Sequence, residues 1–387
     1  PIVQKELELD DSTKLQKLSG SYGDFARAMV GESTIISLEN DDLKIFFDSK
    51  GGAIHEAILK NHYKVTEDGL HERSKEPLSL LEDDKNKFEF LIPTRQYGSI
   101  NVADLYYEAE KAGNTLQLRA ELGGGNSIAH IYTLDETGFH LDYKLELTGM
   151  DQLMNPDDAR IKFIWHNYLD RIELNTRFEK YYSTVYYKKV NEDSDYCNCR
   201  GDDVDEVDKK RVEWISHVNQ FFNSSLMASN FKFENGIFET VMMEDDDEDL
   251  KLVKSEADIP LNITRQQSIE FDWFIGPNEF DELYAYDNGL EQIIPFGRSI
   301  FGTINRWIIR PSFNFLSKFI GSKGIVIIVL IFIIKLILYP LMYKMLHSQA
   351  KMGALKPELS RLKEKHKDDA QKQQMETMKI YREYGVS

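Results

Sequence analysis

A long apolar run occupies residues 325–343. Fourteen of these nineteen residues are Leu, Ile, Val or Phe, and the one charged side chain, Lys335, is one position from the middle. As a helix, this run spans the ~30 Å hydrocarbon core of a bilayer, whereas about 10–14 apolar residues suffice for a buried soluble helix. Its aliphatic side chains outweigh the roughly 3 kcal/mol insertion cost of one central lysine. The pattern therefore predicts a membrane span, bounded at residues 322–346.

A basic amphipathic helix is predicted just before the span, at residues 295–321. Apolar side chains recur there at steps of three and four, which places them on one face of a helix. Such a helix lies flat among lipid headgroups, and Pro311 is expected to kink it. The side chains expected to contact the headgroups are Arg306, Trp307, Arg310 and Lys318.

Residues 347–387 predict a helical hairpin. Apolar side chains from Met352 to Leu362 step by three and four, as in a packed helix seam. A polar turn is expected at residues 366–369, followed by a weaker stripe through Met375, Met378 and Tyr381. Two helices joined in this way form an antiparallel pair. The candidate contact residues of this hairpin are charged: Lys351, Lys356, Arg361, Asp368 and Asp369.

Residues 33–294 contain many short runs of β-branched and aromatic residues separated by turn signals, which is typical of β-strands. The clearest is Leu43–Asp48, followed by a glycine turn at residues 49–52 and a second strand. Asn235-Gly236 is a strong hairpin signal. The pattern predicts a mainly β chain whose large domain is an antiparallel sandwich. The polar residues 1–32 predict a flexible lead-in, within which Tyr22–Met29 favours a short helix.

The charge of the chain is unevenly distributed. Residues 295–343 carry six Lys and Arg and no acid, and residues 344–387 carry a net charge of +4, so the total of −18 leaves −28 on residues 1–294. An acidic domain repels phosphate, so we do not expect it to bind nucleic acid. The chain begins at Pro1 without a methionine, and we expect it to be part of a longer protein.

The sequence gives little sign of catalysis or of a cofactor. A disulfide between Cys197 and Cys199 would be strained, and two thiols alone make an incomplete zinc site. Both are therefore expected to be surface thiols in an acidic loop. Nucleophile-elbow, phosphate-loop and zinc-protease motifs are absent from the sequence. We expect no enzyme activity, no cofactor and no metal.

Lys335 is the strongest candidate for a functional residue. An ammonium group at mid-depth in a bilayer requires water, a counter-charge or neighbouring helices. Ile331 and Tyr339, one turn away on either side, share its helix face. A single span cannot enclose such a charge, so further spans are implied.

The order of these features resembles that of the YidC-type membrane protein insertases. The resemblance is strong over residues 295–385, where the span carries its cation before Tyr339-Pro340-Leu341 and the hairpin contains Asp368-Asp369. The hairpin is also expected to begin with a turn at Leu355-Lys356-Pro357. Residues 1–294 are more loosely similar to the periplasmic domain of Gram-negative members, for example at Lys50-Gly51-Gly52.

The resemblance implies a β-super-sandwich in the periplasm, a span in the bacterial inner membrane and a hairpin in the cytoplasm. It also implies an insertase and chaperone that receives nascent membrane proteins in a hydrophilic groove, alone or with the Sec translocon. The ribosome and the lipid bilayer are further implied partners. Lys335 then takes the place of the groove cation, which is usually arginine in the family, and lysine lacks the bidentate hydrogen bonding of arginine. Ile331 stands where some members carry a polar residue.

Two other functions remain open at this point. A membrane-tethered, carbohydrate-binding or mutarotase-like sandwich would need His and acidic side chains clustered in a cleft. A one-span sensor would need an output domain after the hairpin.

Overall fold

The computed structural model describes residues 11–65, 77–82, 84–296, 300–366 and 369–385, with the backbone alone for residues 11–14. The chain divides into two compact units, Pro1–Pro295 and Phe296–Ser387. The first unit is mainly β and the second is helical. The predicted fold class, a large antiparallel sandwich followed by a helical segment, is confirmed.

The described part of the first unit contains three antiparallel sheets. In chain order, the strands are β1 Ile35–Glu39, β2 Leu43–Asp48, β3 Ile54–Tyr63, β4 Pro77–Leu80, β5 Lys87–Pro93, β6 Ser99–Asn101, β7 Glu108–Ala112, β8 Thr115–Glu121, β9 Ser127–Leu134, β10 His140–Thr148, β11 Arg160–Asp170, β12 Thr184–Lys189, β13 Ser194–Tyr196, β14 Asp203–Val207, β15 Val212–Val218, β16 Phe222–Ala228, β17 Glu234–Met242, β18 Asp249–Pro260 and β19 Gln266–Pro277. The sheet orders are β1-β2-β3-β4, β13-β12-β15-β16-β19-β10-β9-β8-β7 and β14-β17-β18-β11-β5-β6.

The nine-stranded and six-stranded sheets form the sandwich. Strands such as β11 alternate buried and partly exposed positions, as expected when one face is packed. Across the interior, the Phe88 and Trp273 rings stack with centroids 4.8 Å apart, and the Trp165 ring stacks 3.7 Å from that of His217. The apolar core extends from Phe25 to Ile293 and lies wholly within this unit. A unit with its own core is expected to fold by itself.

The glycine turn between β2 and β3 is confirmed. Gly51 and Gly52 have φ angles of 83° and 67°, in the left-handed region that glycine adopts without steric cost. A Cβ atom on Gly52 would lie 2.5 Å from Cδ2 of His130. The turn therefore also requires glycine because the core is packed against it.

The Asn235-Gly236 pair does not form a hairpin, and that prediction is wrong. Both residues lie inside β17, where Asn235 has a φ of 49° and the register against β18 shifts between Glu234 and Ile237. On the other side, Gly236 pairs with Val207 of β14. The pair is therefore a β-bulge, held in the sheet because the strand has a neighbour on each side.

Part of the predicted lead-in is ordered, and the short helix expected at Tyr22–Met29 is present as a 3₁₀ helix. Helix α1 covers Asp11–Tyr22, and a 3₁₀ helix covers Gly23–Met29. Phe25 is fully buried in the core, and the Ala28 carbonyl accepts a hydrogen bond from the Tyr106 amide at 2.6 Å. Burial of this aromatic ring fixes the segment. Residues 1–10 lie outside the described residues.

The remaining helices complete the chain. Short helices α2 Thr176–Lys180 and α3 Phe280–Tyr284 belong to the first unit. In the second unit, α4 Ile300–Ile304, a π-helical turn Asn305–Ile309 and α5 Arg310–Ser317 are followed by α6 Lys323–Lys365 and α7 Ala370–Glu383.

Helix α6 joins two elements that were predicted as separate. It continues for 43 residues through Pro340 and Pro357, so the chain has no break at residue 346. The turn predicted at Leu355-Lys356-Pro357 is likewise helical, and that prediction is wrong. A proline removes one N–H donor from a helix, but here the helix continues past it.

Candidate functional site

Helices α4 and α5 form the predicted amphipathic segment. The π-helical turn between them ends where the Arg310 amide donates to the Asn305 carbonyl, five residues back. The irregularity therefore lies immediately before Pro311, where the kink was expected. Phe301, Trp307 and Phe315 are 81%, 55% and 60% exposed. An exposed apolar stripe with basic neighbours suits the surface of a bilayer.

The four predicted headgroup residues differ in exposure. Trp307 and Lys318 are exposed, whereas Arg306 and Arg310 are half-buried. The Arg306 guanidinium lies over the Phe296 ring, 5.7 Å from its centroid. Their contact with lipid stays a prediction.

Helix α6 supplies the membrane span. At 1.5 Å per residue, its 43 residues extend roughly 65 Å, about twice the thickness of a hydrocarbon core. Among the described residues, it is the helix that is long and apolar enough to cross a membrane. Ile328 and Phe332 are more than 60% exposed, as expected for side chains that face lipid or other helices.

Lys335, Ile331 and Tyr339 lie on neighbouring turns of α6. All three side chains are exposed. Within the described part of the chain, Lys335 has no acidic partner within ion-pair distance. The helix therefore presents a cation, an aliphatic side chain and a phenol on one side, and their place in a groove stays a prediction.

Sequence reasoning missed the continuation of this face beyond the predicted end of the span. Tyr343 and His347 follow Tyr339 at steps of four residues. The ring centroids of Tyr339 and Tyr343 are 6.4 Å apart, and those of Tyr343 and His347 are 6.2 Å apart. The next step is Lys351, whose Nζ donates to the Tyr384 carbonyl at 3.0 Å. The spacing was visible in the sequence, but the predicted boundary at residue 346 divided the series.

The hairpin is formed by the end of α6 and by α7. The turn predicted at residues 366–369 is confirmed at its described ends, because α6 ends at Lys365 and the Asp369 carboxylate accepts from the Lys372 amide at the start of α7. Lys356 and Arg361 are exposed. Asp368 lies outside the described residues.

The predicted apolar stripe of α7 is packed only at Tyr381, which is half-buried. Met375 and Met378 are 66% and 63% exposed. The less exposed positions are Gln373, Thr377, Ile380 and Tyr381. The packed face is therefore polar at two of these positions, which the hydrophobic pattern could not indicate.

A partly buried charge cluster lies at one edge of the first unit. Lys64 Nζ is 2.6 Å from Glu82 Oε1 and 3.1 Å from Asp170 Oδ2. Burial and a hydrogen bond with Glu82 raise the pKa of Asp170 to about 8, although Lys64 opposes this shift. Burial also acts to raise the pKa of Glu82, but its hydrogen bonds with Asp170 and Lys64 lower it overall. The cluster borders an open cavity of about 470 Å³.

The two cysteines are free and buried, so the prediction of surface thiols is wrong. Burial raises the pKa of both thiols. Cys197 Sγ donates to the Phe238 carbonyl of β17 at 3.3 Å. Cys197, Asp203 and Asp205 bring potential metal ligands within 4.8 Å of one another. We assign no ion to them, because this thiol already has a protein partner.

The two units together define a class of protein, a membrane protein with a large β-sandwich domain outside the bilayer. The family described as "YidC periplasmic domain" matches residues 35–311, and the family described as "60Kd inner membrane protein" matches residues 315–387. The chain belongs to the YidC family, and its first unit is the periplasmic domain of that family.

Curated relatives match along the whole chain. A membrane protein insertase YidC from Parabacteroides distasonis is 31% identical over 399 residues, covering 100% of this chain and 61% of that protein. A membrane protein insertase YidC from Azobacteroides pseudotrichonymphae is 29% identical over 404 residues, covering 100% of this chain and 64% of that protein. The chain thus spans about three fifths of the length of these relatives.

Solved structures resemble the sandwich only distantly. A putative aldose 1-epimerase from Escherichia coli covers 63% of this chain at 9% identity, with 99% of its own chain matched and a TM-score of 0.36. A galactose mutarotase-like protein from Lactobacillus casei covers 62% at 10% identity, with 100% of its chain matched and the same TM-score. Both identities are too low for a functional comparison.

Proposed function

We propose that this chain is part of an insertase and chaperone that places nascent proteins into the bacterial inner membrane. The observation that carries the proposal is Lys335, a cation near the middle of the apolar run 325–343 of α6 that has no acidic partner among the described residues. Relatives that match the entire chain are named membrane protein insertases. Because the chain spans about three fifths of their length, the remaining walls of the groove would come from the rest of the full-length protein.

In this proposal, Lys335 holds water within the bilayer. Its ammonium attracts acidic residues that flank an incoming apolar segment, as a point charge and without bidentate bonds. Tyr339, Tyr343 and His347 extend the polar face along α6, and Ile331 makes the other side of Lys335 apolar. No covalent chemistry and no cofactor are required.

The proposed topology places the first unit in the periplasm and the hairpin in the cytoplasm. The amphipathic segment would lie at the periplasmic surface of the bilayer. The exposed Met375 and Met378, flexible apolar side chains that adapt to varied partners, support a hairpin that meets arriving segments. Lys356 and Arg361 are exposed for contact with the ribosome, and the Sec translocon is the proposed membrane partner.

The test is complementation in a strain depleted of its own insertase. In the full-length protein, Lys335→Ala should reduce insertion of a substrate with an acidic translocated tail by about tenfold, which corresponds to about 1.4 kcal/mol. A matched substrate with a neutral tail should be affected less, and Lys335→Arg should restore insertion. Equal insertion of the acidic substrate by the original protein and by Lys335→Ala would contradict the proposal.

A further inference from the structure

A polar cavity of about 260 Å³ opens in the first unit beside the start of β5. We call it the β5 cavity. Its apolar wall consists of the aromatic side chains Phe88, Trp165 and Trp273, of which Phe88 is half-buried and the two tryptophans are at most 2% exposed. Phe88 and Trp165 are directly opposite each other in the pairing of β5 with β11, and Phe88 stacks on Trp273 of the facing sheet. The packing of the sandwich therefore fixes the shape of this wall.

Polar side chains surround the aromatic wall. His55 and Asp84 lie at the exposed mouth, with His55 Nδ1 4.0 Å from Asp84 Oδ1. Lys87 is exposed and lies directly opposite His166 in the strand pairing. No ion pair of Lys87 is present within the described residues. Histidine and carboxylate groups thus meet in one cleft, which is what the carbohydrate hypothesis required.

Two polar atoms in the cavity lining lack a hydrogen-bond partner among the described residues. Asn86 Oδ1 accepts from the Tyr168 amide at 2.8 Å, but Asn86 Nδ2 is shielded from solvent and makes no hydrogen bond. The same holds for His166 Nε2, which approaches Glu256 Oε1 at 3.5 Å without hydrogen-bond geometry. Native proteins rarely leave such atoms unpaired. A small side-chain rotation, common on binding, would turn either atom toward a ligand.

The lining is balanced in charge, which selects the class of ligand. The lining contains two lysines, Lys50 and Lys87, and two aspartates, Asp48 and Asp84, so neither an anion nor a cation is favoured overall. Burial lowers the pKa of His166, and a neutral imidazole can both donate and accept a hydrogen bond. The volume is below the roughly 300–1,000 Å³ of sites for drug-sized ligands. A single polyhydroxylated ring with an apolar face matches these properties.

We propose that the β5 cavity binds a neutral monosaccharide. In this arrangement the ring lies against the half-buried Phe88, and its hydroxyl groups bond to Lys87 and, once the two shielded side chains rotate, to Asn86 and His166. The proposal concerns the first unit alone and does not depend on the insertion function. It makes the periplasmic domain a ligand-binding domain.

The test uses the separate unit, residues 1–295, which contains its own core. Isothermal titration with glucose, galactose and N-acetylglucosamine should reveal at least one ligand with a Kd on the order of 1 mM or tighter, as expected for so small a ligand. Glucuronate and glucosamine provide charged comparisons of similar shape. The proposal is overturned if none of the neutral sugars binds at concentrations up to about 20 mM. It is also overturned if a charged analogue binds more tightly than all of them.

Matched substitutions locate the site. Asn86→Asp keeps the acceptor for Tyr168 and removes the N–H donors, so it should weaken binding about tenfold. Asn175→Asp makes the same change at an exposed helix cap whose acceptor is also retained, and it should leave the Kd unchanged. Equal affinities of both variants and the original unit would overturn the assignment. If Asn86→Asp fails to fold, Lys87→Met decides in its place, since weaker binding supports the site and unchanged binding overturns it.

Discussion

Asp170 is a residue outside the membrane whose environment strongly changes its pKa. Its carboxyl group is largely buried beside Glu82 and Lys64, and its pKa rises from 3.8 to about 8. A raised carboxyl pKa means that the folded state binds this proton more tightly than the unfolded state. The stability that this group contributes is therefore fully present below pH 3.8 and is lost as the pH rises to about 8.

Asp170→Asn removes this titration while keeping the shape of the protonated side chain. As the pH rises from 5 to 9, we expect the free energy of unfolding of the variant to increase by at least about 1 kcal/mol relative to that of the original unit. Urea unfolding of residues 1–295 at both pH values measures this difference. A stability difference that is the same at pH 5 and pH 9 would show that Asp170 titrates normally.

The buried cysteines give a second prediction for single residues. Because both thiols are buried and their pKa values are raised, they should react with a thiol reagent about 100-fold more slowly in the folded unit than in denaturant. An Asn175→Cys variant provides an exposed thiol as control. Rapid reaction of Cys197 or Cys199 in the folded protein would contradict the packing.

Their burial could not be predicted from the local sequence. Both cysteines stand among acidic residues, which indicate a solvated loop. Cys197 instead packs against β17, where its thiol donates to the carbonyl of Phe238. Phe238 lies 41 residues away in the sequence. Burial here depends on strand pairing and not on neighbouring residues.

At the level of elements, the sequence predicted strands best where apolar and polar positions alternate regularly. The alternation of β2 and the two following glycines predicted a strand and turn that the structure contains. Strand β16 was missed because all seven of its residues are buried, polar ones included. Its Ser224 is paired with the Trp273 indole at 2.8 Å, and such a satisfied polar group breaks the hydrophobic pattern.

The amphipathic segment gives a prediction that tryptophan can report. Trp307 is 55% exposed, whereas the other three tryptophans are at most 2% exposed. When the chain is reconstituted in vesicles, lipids brominated near the headgroups should quench Trp307 strongly, because the exposed apolar stripe places it at the interface. Equal quenching in the Trp307→Phe variant would argue against this placement.

At the scale of the whole molecule, the two units have different kinds of core. The sandwich encloses its apolar side chains, whereas α6 exposes them over the length of a membrane. The sequence predicted this division, since a long apolar run differs clearly from alternating strands. It could not predict that the span and the hairpin share one helix, because prolines at 340 and 357 usually mark helix breaks.

Lys335 connects the helix to the proposed function. Its face on α6 is exposed in this chain, and a cation at that depth is tolerable only beside water. The central claim is therefore that the full-length protein surrounds Lys335 with other helices that enclose a wet groove. Ile333, about 200° around the same helix, should face lipid or packed side chains instead.

Cysteine labelling in the native membrane tests this claim most directly. Lys335→Cys and Ile333→Cys are each introduced into the full-length protein and exposed to a water-soluble maleimide, to which the buried native thiols should contribute little. We predict that Cys at position 335 reacts at least about tenfold faster than Cys at position 333, because the thiolate that reacts forms in water. Equally slow labelling at both positions would contradict the account.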